Sequence, residues 1–229
     1  MMKASSVSLD DELLQEISQG CDERTLIQGD SGRNKYHLSP LKSSGLFYRG
    51  SCTAGALTTE TTGVALEGLR RMQTEAPGDA WAEEQRGRLK ALIPTPTPFE
   101  VFFAPSGTDL IYLPLLFARL QSDRPLLNLL SCPEELGSGS HLAAEGKFFA
   151  SRSATGQNTP KGELLHPDLA GETIELAART AEGHIRNRNQ EIRALLDAHQ
   201  DKWIIAHLVF GSKSGIKDDL QVIEKRPNV

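Results

Sequence analysis

Ser106, Gly107 and Thr108, within Ala104-Pro105-Ser106-Gly107-Thr108-Asp109, place two hydroxyls around a glycine just before an apolar segment. Glycine lets a backbone approach a ligand closely, hydroxyls donate hydrogen bonds, and the first amides of a following helix point at an anion. A phosphate monoester suits such a turn. The same residues suit a plainer role, in which Ser106 or Thr108 only caps the helix with its side-chain oxygen. His141 follows the Gly/Ser-rich stretch 137–140 after an apolar run. That is the edge where ligands of open α/β sheets collect, although a histidine at an ordinary helix start reads the same way.

Other reactive types form no constellation. Cys21, Cys52 and Cys132 lie far apart without a CxxC pair, which supports neither a disulfide framework nor a zinc site. Cys52 reads as a small loop or buried thiol. His166, His184, His199 and His207 lack metal-ligand spacing, so no metal is expected; His207, on an apolar strand, is expected as a hydrogen-bonded core residue. Glu134 and Glu135 are adjacent and would face opposite ways on a strand, so they suit a solvated turn. Arg179, Arg186, Arg188 and Arg193 with Glu175, Glu182 and Glu191 read as one solvated helix side.

The elements that must position these groups follow from pattern. Ser8 with Asp10, Asp11 and Glu12 ahead of an apolar stripe predicts a helix near residues 9–19. Residues 26–62, rich in Gly, Ser and Thr, read as an extended arm. Val64, Leu66, Leu69 and Met72 have helical spacing, and a further helix is predicted over 81–92. Thr95-Pro96-Thr97-Pro98 stops it, after which Phe99–Phe103 reads as a strand and Leu110–Leu120 as a helix. Pro114 removes a donor to the Leu110 carbonyl and should kink that helix. Leu126–Ser131 reads as a buried strand, His141 begins a helix, 151–170 is a hairpin or loop, and 173–198 reads as one or two helices. Trp203–Phe210 is the clearest strand, and Asp218–Lys225 could start another helix. Alternation of this kind predicts an α/β layer on a mostly parallel sheet.

Thirty acids against 25 bases, spread along 229 residues, give a formal charge of −5 without a basic face, so neither nucleic acid nor a membrane surface is an expected partner. The start lacks the basic and apolar regions of a signal peptide, and the longest apolar runs are too short to span a bilayer. A cytoplasmic location is expected.

At Arg86-Gly87-Arg88-Leu89-Lys90-Ala91-Leu92, followed by Val101-Phe102-Phe103-Ala104-Pro105-Ser106-Gly107-Thr108, the chain resembles the fold-type-I pyridoxal-phosphate enzymes, the aminotransferase, cysteine desulfurase and decarboxylase superfamily. The resemblance covers roughly residues 30–229 and includes a looser match at Gly211-Ser212-Lys213-Ser214-Gly215-Ile216-Lys217-Asp218. It implies that the arm with Asn34-Lys35-Tyr36 and Ser51-Cys52-Thr53 is the amino-terminal segment that covers the active site, so the chain is expected to divide into an amino-terminal helix and extended arm over 1–62 and a partial large domain over 63–229. It also implies pyridoxal 5'-phosphate as cofactor, held by Ser106, Gly107 and Thr108, with His141 able to stack on the ring. An amino compound as substrate, a transferase or lyase reaction and a homodimer are implied in the same way. The family's aspartate for the pyridine nitrogen and its Schiff-base lysine are expected beyond Val229, so little independent catalysis is expected. Lys213 is the alternative Schiff-base lysine, at a spacing short for the family, or else a loop lysine. It makes no nucleotide-binding loop, because the Gly-x-x-x-x-Gly-Lys-Ser spacing is absent.

Overall fold

The computed structural model describes residues 8–18, 26–39, 57–75, 78–137, 139–211, 214–224 and 226–229. Cys21, Cys52, Lys213 and the stretches 46–49 and 51–53 lie outside them. The chain forms two compact units, residues 1–102 with 152–158, and residues 103–151 with 159–229.

Among its described residues the first unit is mainly helical. Helix α1 (Leu9–Ser18) starts where the sequence places it. Ser8 Oγ accepts from the Asp11 amide at 3.2 Å and donates to the Asp11 carboxylate at 2.7 Å, a reciprocal cap. Helices α2 (Thr59–Glu75) and α3 (Asp79–Leu92) follow, with Arg71 Nη2 3.4 Å from Glu84 Oε2 between them. In the arm, Asn34 is buried and its Oδ1 accepts from the amides of Tyr36 and Leu38, so Asn34-Lys35-Tyr36 is a turn closed on itself. Phe99–Phe103 is no strand. The Val101 carbonyl accepts from Arg86 Nε at 3.0 Å rather than from a neighbouring strand, and β-propensity yields a strand only where a ladder partner exists.

The second unit is α/β. Helices α4 (Gly107–Leu110) and α5 (Tyr112–Gln121) are separated at Ile111. Pro114 explains the break: it has no amide for the Leu110 carbonyl, and as the third residue of α5 it sits in a first turn, where its missing donor costs nothing. Strand β1 (Leu126–Ser131) is buried throughout and is followed by α6 (Ser140–Ala144), β2 (Gly171–Leu176), α7 (Arg188–Ala198) and β3 (Trp203–His207). The sheet is three-stranded and all parallel in the order β2-β1-β3, with Leu126 opposite Gly171 and Trp203.

Strand β2 corrects the helical reading of residues 173–198, of which only the later part, α7, is an α-helix. Gly171 is what lets it dock. A Cβ there would stand 3.0 Å from Leu126 Cβ and 3.1 Å from its carbonyl oxygen. The two faces of β1 are covered differently. Leu127 and Leu129 pack with Ile192 and Leu196 of α7, whereas Leu126 packs with Leu115 and Ala118 of α5 and with Ile205. Burial on both faces is why β1 reads as a continuous apolar run. Strand β3 stops at His207, before the expected Phe210, because Val209 turns to exchange bonds with Asp218. The expected last helix is a 3-10 turn over Leu220–Ile223. No helix among the described residues is long and apolar enough to cross a membrane.

Candidate functional site

The Ser106 turn is fixed by its own helix. Ser106 is extended (φ −149°, ψ 166°); its Oγ accepts from the Asp109 amide at 3.2 Å and donates to Asp109 Oδ2 at 2.6 Å. Its carbonyl accepts from Leu110 N at 3.2 Å. The amides of Gly107 and Thr108 fall in the first turn, which has no intrahelical acceptors for them. A Cβ on Gly107 would meet nothing within 4 Å, so the space above the turn is open. The donor set therefore suits an oxyanion, with one opposing feature. The Asp109 carboxylate already holds the Ser106 hydroxyl and would repel a second negative charge.

Helix α6, which begins just after β1, lies beside α4, so the turn at 106–108 and His141 belong to one neighbourhood at the carboxyl end of the sheet. Ser140, Ala143 and Ala144 are buried and set the rotation of α6. His141 is left partly exposed, and its Nδ1 lies 2.5 Å from Glu175 Oε1 on β2. Sequence reasoning put Glu175 on a solvated helix; it is instead a strand residue opposite Leu130, on the face that α5 covers. Tyr112 and Phe149 stack on the same side, and the Tyr112 hydroxyl donates to the Lys147 carbonyl at 2.7 Å.

A second cluster fills the carboxyl ends of β1 and β3 from within. Arg188, expected on a solvated face, is buried at the start of α7; its Nε and Nη2 donate to Asp218 Oδ1 at 3.1 and 2.8 Å, and Nε also reaches Ser131 Oγ at 3.3 Å. Asp218 Oδ2 accepts from the Val209 amide at 2.9 Å. This carboxylate is thereby committed to the Arg188 guanidinium and the Val209 amide. Nearby, Cys132 sits at φ 53°, buried against Ala178, Val209 and Ile216, and burial pushes its thiol pKa up. Glu134 and Glu135 are not idle turn residues. Glu134 accepts from the Ala178 amide at 2.6 Å, and Glu135 accepts from the Ser214 amide at 3.2 Å, pinning two loops at this edge.

His207 differs from the expected hydrogen-bonded core histidine. Its Nε2 is buried without a hydrogen-bond partner among the described residues, and desolvation pushes its pKa down to about 4. The Asn128 side chain, fully buried in the middle of β1, likewise has neither polar atom paired among them. No group of three or more His, Cys, Asp or Glu among the described residues could hold a metal ion.

Fold and site together define an α/β protein with an open, all-parallel sheet whose carboxyl edge carries a serine-capped Ser-Gly-Thr turn and a carboxylate-bound histidine. The chain matched no family model, and comparison with curated proteins and with solved structures gave no match.

Proposed function

We propose that this protein binds pyridoxal 5'-phosphate as a fold-type-I-like transferase or lyase module acting on amino compounds. The observation that carries the reading is the adjacency of α4 and α6, through which Ser106, Gly107 and Thr108 share one edge of the sheet with His141. In this reading the Thr108 and Ser106 hydroxyls and the amides of the first turn hold the phosphate, and His141 lies against the ring. Bound there, the cofactor would supply an electron sink for bonds next to the substrate nitrogen. The chain's own groups hold the phosphate, orient the ring and keep a proton on His141. Asp218, committed to Arg188 and Val209, takes no part. Lys213 enters only as the candidate for covalent attachment.

A second reading is favoured by one specific contact. The Ser106 hydroxyl already serves Asp109, as in a helix cap of a non-catalytic binding or interaction domain. Titration with pyridoxal phosphate separates the two. The first reading expects saturable binding that Ser106→Ala with Thr108→Ala weakens at least tenfold. The second expects no binding and only a loss of stability in that variant. An absorbance band from covalent attachment, abolished by Lys213→Ala, would establish Lys213 as the lysine in use.

A further inference from the structure

We infer that Glu175 is a positioning residue that keeps the proton of His141 on Nδ1, so that Nε2 stands as a hydrogen-bond acceptor for an N–H or O–H donor of the ligand. The inference rests on the cofactor reading for the identity of that ligand, but the arrangement itself is a matter of the two side chains. A carboxylate only accepts hydrogen bonds, so the nitrogen facing Glu175 Oε1 at 2.5 Å must carry the hydrogen. An imidazole has one such hydrogen when neutral, and the bond made by one nitrogen decides what the other can do.

Stability does not account for the pair. Both side chains are substantially exposed, at 36% and 47%, and exposed ion pairs contribute little to folding. What the pair does fix is direction. Glu175 is anchored in β2 opposite Leu130, and α6 is held by the buried Ala143 and Ala144, so two rigid elements set the ring between them. The consequence for recognition is specific. A neutral His141 in this state gives no hydrogen bond to a phosphate oxygen through Nε2; it takes one from a donor, and an ammonium group of an amino compound is such a donor. Transfer of that proton breaks the ammonium N–H bond, forms Nε2–H and leaves a neutral amine. The resulting imidazolium is matched by the Glu175 carboxylate.

The test is nitrogen NMR of the protein carrying labelled histidine, at a pH where the ring is neutral, with His141→Gln to assign the signals. A histidine side chain free in water favours the proton on Nε2; the wild-type protein is expected to show His141 with the proton on Nδ1. Glu175→Ala removes the acceptor that faces Nδ1 and should restore the free-solution preference for Nε2–H. Titration with methylammonium should then shift the Nε2 resonance in the wild type and leave it unmoved in Glu175→Ala. A wild-type His141 protonated on Nε2, or a tautomer unchanged by Glu175→Ala, overturns the inference. Failure of pyridoxal phosphate to bind while the tautomer behaves as stated would remove the cofactor reading and leave the His141–Glu175 arrangement standing.

Discussion

Asp109 is the residue on which the Ser106 turn is most finely balanced, because its carboxylate holds the hydroxyl of the Ser106 cap of α4 and would repel a phosphate bound beside it. Removing its charge should help the ligand more than it harms the helix. Asp109→Asn keeps a side-chain oxygen for the Ser106 hydroxyl, and its effect on pyridoxal phosphate affinity is expected to be a several-fold gain, measured by fluorescence titration. The Arg188–Asp218 pair is balanced in the opposite sense. With the two side chains 5% and 0% exposed, deleting one partner strands a buried charge, so Asp218→Ala should cost about 3–5 kcal/mol in chemical denaturation, whereas Arg188→Met with Asp218→Leu should recover only part of it, the Val209 amide being left without its acceptor. His207 brings a pH dependence whose sign follows from its environment. Its pKa is about 4 when folded against 6.5 for the free side chain, so its contribution is present above pH 6.5 and is lost as the pH falls towards 4, by up to roughly 3 kcal/mol. Melts of the wild type and of His207→Gln across that interval should differ by about this amount, the variant being the less sensitive. Equal slopes would mean that the ring is not buried as described.

At the scale of elements, what could be read from sequence was whatever depended on neighbouring residues. The Ser8 cap of α1, the apolar runs that became β1 and β3, and the effect of Pro114 on the segment 107–121 are local, and each is visible in the order of residues. What was missed needed a partner far along the chain. Glu172-Thr173-Ile174-Glu175 forms a strand because the edge of β1 accepts it, and Phe99–Phe103, more β-prone on paper, does not. The same limit hid the site: Arg188 and Asp218 are thirty residues apart, and Glu175 meets His141 only once β2 and α6 are in place. Gly171 is a local signal that the helical reading of 173–198 passed over, since a glycine at the start of a strand marks a close backbone approach. Gly171→Val should therefore be strongly destabilising, through contact with Leu126, in a thermal melt. Pro114→Ala should change stability by less than about 1 kcal/mol, because the proline lies in a first turn and not in a helix interior, where relief would be worth about 3 kcal/mol.

For the molecule as a whole, the sheet has two unlike edges. Strand β2 carries Glu172, paired with Lys202, and Glu175, paired with His141, whereas β3 is Trp203-Ile204-Ile205-Ala206-His207, without a carboxylate or a lysine. The Ile204 amide donates to the Asn228 carbonyl at 2.7 Å, and Val229 packs on the adjoining core. Residues 228–229 thus cover part of the outer edge of β3, and Asn228 Nδ2 also donates to the Lys202 carbonyl at 3.0 Å, so Asn228→Pro, which keeps the carbonyl but loses the side-chain donor, should lower stability in a thermal melt. The functional account depends on neither edge but on an oxyanion held at residues 106–108. Its most direct measurement is the affinity of the protein for pyridoxal phosphate compared with pyridoxal, which lacks the phosphate. The account expects the phosphate ester to bind at least about tenfold more tightly, a difference of about 1.4 kcal/mol, and expects Ser106→Ala with Thr108→Ala to close that gap. Equal affinities in the wild type, or a gap that persists in the variant, would contradict it.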